Sequence, residues 1–228
     1  MLTPSPSFTP ARIISEPSEV AVRLQELDAA LVEDLLLEAN LRGYEARLGT
    51  TIAHAPTAAG TLHWHEFVAA VRLALKERDW SIKDHKNCPL IISPDKSIAI
   101  VVMTGNLETG LIHGNPTNQA DKGAVMDEAV QRNIQYQLFE SAAMSKLQRG
   151  AGGTQLWVLL YHADVSGKHA KEIRTELSLP SRFHKKKIIE WSERIILKSI
   201  PTEPTARSVV IDPTPPIDVI VERKTGLN

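Results

Sequence analysis

Six consecutive residues, Ile98-Ala99-Ile100-Val101-Val102-Met103, carry no polar side chain. A strand with one face in water alternates apolar and polar residues, so this unbroken run belongs to a strand covered on both faces. Such a strand is central in its sheet, and the rest of the chain must cover both sides. Just upstream, Leu90 to Ser93 is a second apolar segment. Between them, Ser93-Pro94-Asp95-Lys96 is a turn signal, because Pro presets φ at the second position of a type I turn. The two segments are expected to pair as a hairpin.

Thr104 to Gly123 carries four of the twelve glycines, Pro116 and three asparagines, and shows neither a strand nor a helix period. Structureless loops longer than about 12–15 residues are uncommon in compact domains unless they serve a function or are disordered. This loop is therefore the leading site candidate, with Glu108, His113, Asn115, Asn118, Asp121 and Lys122 as its chemistry-bearing groups. A solvated insertion without chemistry is the competing account.

Cover for the strand is available in three amphipathic stretches. From Ser18, apolar residues recur at Val20, Leu24, Leu27, Leu31 and Leu35, which predicts one helix ending near Arg42, before Gly43. Leu36, Leu37 and Leu41 widen its stripe, so the helix is expected to pack on two sides or to form a homodimer through Val20 to Leu41. A second helix is expected from Thr61 to Arg78, with Trp64, Phe67, Val68, Val71 and Leu75 on one face. A third follows from Ala124 to Leu147, marked by Met126, Val130, Ile134 and Leu138.

After Gly153 the period changes to two. Leu156 to Tyr161 and Ile173 to Leu179 read as paired strands. Ile188 to Ile200 reads as a strand bulged near Ser192, with a helix as the alternative, and Val209 to Ile211 with Ile217 to Val221 as a last pair. Two helices, two strands, a loop, a helix and several strands lack regular βαβ alternation. The expected class is α+β, a mostly antiparallel sheet packed by about three helices. The divisions are a flexible Pro-rich arm over 1–17, a helical segment over 18–82 and the sheet domain over 83–228.

With a formal net charge of −1, no global pull towards polyanions exists, although a local patch can. The single cysteine, Cys88, excludes an intrachain disulfide and a cysteine-cluster zinc site. No secretory leader and no long apolar run stand in the sequence, so a cytoplasmic protein with no membrane role is expected.

Four short constellations carry chemistry. In His63-Trp64-His65-Glu66 the two histidines would point apart on a helix, so they read as surface residues flanking a core tryptophan. His162 and Asp164, at a strand end, could join His113 in a His/His/carboxylate metal set. Asp218, Glu222 and Lys224 have the Glu-x-Lys core of restriction-type nucleases, in which carboxylates hold Mg²⁺ or another divalent metal, with Asp95 as a recruited acid. His184-Lys185-Lys186-Lys187 is a basic turn able to touch phosphates, or a solvated cluster protecting an edge.

The segments Leu156 to Leu160, Glu172 to Pro180, Ile189 to Trp191 and Arg194 to Leu197 together resemble uncharacterised proteins carried on bacterial mobile elements. That resemblance implies a bacterial cytoplasmic setting in phage, plasmid or defence biology and transfers no functional residue. Because no catalytic constellation is complete, the first expectation is a non-enzymatic binding or accessory protein without a cofactor, contacting a protein or nucleic-acid partner. The alternative is a metal-dependent nuclease or phosphodiesterase using Asp95, Asp218, Glu222 and Lys224 or the histidine set.

Overall fold

A computed structural model describes residues 10–141, 153–164 and 171–202. They form an α+β protein. Its elements are β1 (Arg12–Ile14), α1 (Pro17–Leu27), α2 (Glu33–Leu48), α3 (Ala58–Lys76), β2 (Ser81–His85), β3 (Cys88–Ile92), β4 (Ile98–Thr104), α4 (Ala124–Ser141), β5 (Gln155–Ala163), β6 (Glu172–His184), β7 (Lys187–Ile196) and β8 (Ile200–Pro201). The strands make one sheet in the order β1-β7-β6-β5-β4-β3-β2, with β8 beside β6. Five of the seven pairings are antiparallel, while β4 with β5 and β1 with β7 are parallel.

The apolar run of β4 divides between two cores. Ile98, Ile100 and Val102 point to α1, α2 and α3, joined by Trp157, Leu159 and Tyr161 of β5. Ala99, Val101 and Met103 point the other way, with Leu156, Val158 and Leu160, against Met126, Ala129 and Val130 of α4. A strand roofed on both sides has no use for polar alternation, as expected for a buried parallel pair.

The first apolar stretch is two helices, broken at Asp28, whose carboxylate accepts from Ala30 N at 2.8 Å and from Trp80 Nε1 at 3.3 Å. Leu24, Leu31, Leu35 and Leu36 are buried in the chain's own core, whereas Leu41 is 38% exposed. Residues 12–14 of the expected arm are strand β1, and Ser81–His85 form strand β2, paired antiparallel with β3. Helices α1 to α3 pack on β4 to β7, so the helical segment and the sheet share a buried cluster.

Beyond Leu179 the β6/β7 hairpin leaves β5. Register shifts fall between Leu179 and Phe183, and Ser192 lies at the first bulge, between the pairs Leu179–Glu193 and Pro180–Trp191. The gap beside β5 is closed by Asn133 of α4. Its amide donates to Leu156 O at 2.8 Å and Pro180 O at 3.3 Å, and accepts from Leu156 N at 2.9 Å. One side chain thus replaces the missing ladder, because buried backbone groups need partners. The freed arm folds over the α4 side of the sheet, where Phe183, Ile188 and Trp191 complete the second core. The expected strand pair over 209–221 lies outside the described residues.

Candidate functional site

The long loop after β4 is fixed from beneath by side chains of β6 and β7. Arg174 Nη2 donates to Leu107 O at 2.8 Å, and Gly110 N donates to Glu176 Oε2 at 3.0 Å. Arg194 reaches Gly114 O at 2.7 Å and Leu111 O at 3.0 Å while pairing with Glu176. Trp191 Nε1 donates to Pro116 O at 2.8 Å, and Ile188 N to Asn118 Oδ1 at 2.7 Å. Gly110 is obligatory: its φ is +73°, and a Cβ there would stand 2.7 Å from Arg174 Cβ.

Held this way, the loop turns apolar side chains outward. Leu107, Leu111 and Ile112 are 62%, 38% and 48% exposed. Beside them opens a pocket of about 810 Å³, its lining including the apolar Val20, Leu111, Ile112 and Leu197 and the polar Glu33, Glu108, His113, Glu172, Arg174 and Lys198. Lys198 N donates to Glu33 Oε1 at 2.7 Å, and Arg174 Nε lies 3.8 Å from Glu172.

Of the residues singled out from sequence, Glu108 and His113 meet at this pocket. Asn115 is exposed and its N–H donates to Glu108 Oε2 at 3.4 Å. Asn118 is fully buried, a pin between the loop and the β6/β7 tip, where it also donates to Lys186 O at 3.1 Å. Lys122 N donates to Lys186 O, and burial pushes the Lys122 ammonium down from its ordinary value.

The basic turn is largely engaged. Lys187 Nζ donates to Asn118 O at 3.1 Å and Gln119 O at 2.6 Å, and Asp121 stands 3.3 Å from Lys187 and 3.8 Å from Lys186. His184 and Lys185 stay exposed. Lys185 and Lys186 have φ of 47° and 67°, the left-handed geometry of a tight two-residue hairpin turn.

The structure does not bring His113, His162 and Asp164 together as one set. Among the described residues no three His, Cys, Asp or Glu side chains are grouped to hold an ion. His162 Nδ1 lies 3.3 Å from Gly105 O, and burial lowers its pKa; Asp164 is buried at the end of β5, and neither shares the pocket with His113. Asp95 serves its own turn, accepting from Ser93 Oγ at 2.6 Å and Ser97 Oγ at 2.8 Å, and the Ser93 bond leads in holding its carboxyl below the usual range. Asp218, Glu222 and Lys224 lie outside the described residues.

His63 is a core residue and not a surface one. Asn40 donates its amide to Thr175 Oγ1 at 2.7 Å, which turns its oxygen to His63 Nε2, also at 2.7 Å. Nε2 therefore carries the proton, and Nδ1 is buried with no hydrogen-bond partner among the described residues. The pocket residues Glu33, Leu111, Ile112, Glu172 and Arg174 were not singled out from sequence. The legible signal was Leu107, Leu111 and Ile112, three large apolar residues inside an aperiodic glycine-rich loop.

No protein-family model matches the chain, no curated protein matches its sequence, and no solved structure matches its fold. Among the described residues, no helix is long and apolar enough to cross a membrane.

Proposed function

We propose that this is a non-enzymatic protein-binding module, an accessory component of a bacterial phage, plasmid or defence system, whose loop 107–114 seats a polypeptide partner at the adjoining pocket. One observation carries the reading: buried polar side chains grip the loop's backbone while its leucines and isoleucine are left in water. Folding alone favours the opposite arrangement, since large apolar side chains gain about 1.5–3 kcal/mol each on full burial. Fixed loops with apolar tips are a recurrent means of recognition, because little conformational entropy is lost when the partner docks.

A protein partner is favoured over nucleic acid by the surroundings. Glu33, Glu108 and Glu172 rim the pocket, and Lys186 and Lys187 are neighboured by Asp121. Carboxylates repel a phosphate backbone, whose binding depends on cations able to displace its counterions. The bacterial setting rests on the resemblance of the C-terminal strands to mobile-element proteins.

Affinity capture of the tagged chain from a bacterial host, with and without nuclease treatment of the lysate, tests this. A stoichiometric protein that survives nuclease is expected. Recovery of nucleic acid alone, or turnover of a nucleic acid or nucleotide by the purified chain, would overturn it.

A further inference from the structure

The rim of the pocket restricts what its partner can be. Glu33 and Glu108 have no cationic side chain within ion-pair distance among the described residues. Glu33 is tied through one oxygen to Lys198 N, and Glu108 is exposed with a long 3.4 Å bond from Asn115 N. The rim cations offer little in return. Arg174 is turned to Leu107 O and sits 3.8 Å from Glu172, leaving Lys198 as the exposed cation facing three carboxylates.

A partner that closes over Leu111 and Ile112 strips water from Glu33 and Glu108. Desolvating a carboxylate is unfavourable unless a donor or an opposite charge replaces the water. A wholly apolar segment supplies backbone N–H groups but no opposite charge, and an acidic one adds repulsion. The apolar lining of Val20, Leu111, Ile112 and Leu197 meanwhile calls for an apolar anchor, and about 810 Å³ accommodates more than one side chain.

We infer that the pocket takes a polypeptide segment in which a bulky apolar side chain lies beside a lysine or arginine, the first against the apolar lining and the second against Glu33 and Glu108. This rests on the protein-binding reading of the loop. It names the chemistry of the partner at that same site.

Panning a random-peptide phage library on the full-length chain supplies the probes, and the most enriched peptides are then synthesised and titrated by fluorescence anisotropy. Two double variants separate the claims. Glu33→Gln with Glu108→Gln removes the charges and keeps the carbonyl oxygens that accept from Lys198 N and Asn115 N. Leu111→Ser with Ile112→Ser removes the apolar tip. Enriched peptides are expected to pair Lys or Arg with Leu, Ile, Phe or Trp, and to bind each double variant about fivefold or more weakly, with affinity falling as salt rises.

Peptides without basic residues that need Leu111 and Ile112 but ignore the glutamine pair would overturn this inference and leave the binding loop standing. Failure to enrich any peptide, or binding indifferent to both variants, would overturn the two together.

Discussion

Arg194 Nη2 lies 2.5 Å from Glu176 Oε2, and the two side chains are 3% and 0% exposed. The pair lies under the loop after β4, so Glu176 also accepts from Gly110 N and Arg194 also donates to two loop carbonyls. Such a pair does little for net stability compared with well-packed apolar residues, but removing one partner leaves a buried charge. Here it links β6, β7 and the loop into one rigid piece.

Arg194→Met is accordingly expected to destabilise the fold by about 3–5 kcal/mol, because Glu176 is left charged and buried. Adding Glu176→Leu should restore a large part of that loss while leaving the loop carbonyls of Leu111 and Gly114 without donors. Denaturant unfolding measures the first effect. Faster amide exchange over 105–119 in the double variant reports the second.

Asn133 gives a second test, remote from the loop. Asn133→Ala leaves Leu156 N, Leu156 O and Pro180 O without the partners they now have, and about 2–4 kcal/mol of stability should go with them. Asn133→Asp should fare no better, since a carboxylate cannot donate to the two carbonyls. Urea midpoints for both variants check this.

Gly43 lies where α2 crosses α3. A Cβ there would meet His63 Cδ2 and His63 O, each at 2.6 Å. Alanine favours a helix over glycine by up to about 1 kcal/mol, yet overpacking against a backbone oxygen should outweigh it. Gly43→Ala is expected to destabilise by about 1–3 kcal/mol on thermal unfolding.

Burial, followed by the nearby Arg47, pushes the His63 pKa from 6.5 down to about 4. The unfolded chain then binds the proton more readily than the folded one. His63 therefore contributes stability that is fully present above about pH 6.5 and lost as pH falls towards 4, up to about 3 kcal/mol. Unfolding free energies between pH 7 and pH 4 measure the slope, and His63→Gln should flatten that limb.

The sequence announced the double-sided burial of β4, the β3/β4 hairpin, the loop and the bulge at Ser192, because each depends on local pattern. The break between α1 and α2 was hidden. No Gly or Pro marks it, and Leu24, Leu31 and Leu35 keep helical spacing across it because both helices face one core. Strand β2 was missed because every residue of Ser81–His85 is exposed at a sheet edge, so nothing apolar alternates. Arg174, Glu176 and Arg194 alternate with apolar residues and read as solvent-facing. Their solvent is replaced by the loop, a tertiary contact that no local pattern encodes.

The central claim is that Leu111 and Ile112 serve a partner and not the fold. The most direct test compares wild type with the Leu111→Ser, Ile112→Ser double variant, measuring stability and partner capture on the same preparations. Surface changes of this kind shift stability by no more than about 0.5 kcal/mol each, so the two proteins should unfold together while the variant loses the captured protein. A variant that unfolds several degrees lower, or that keeps the same partners as wild type, would contradict the account.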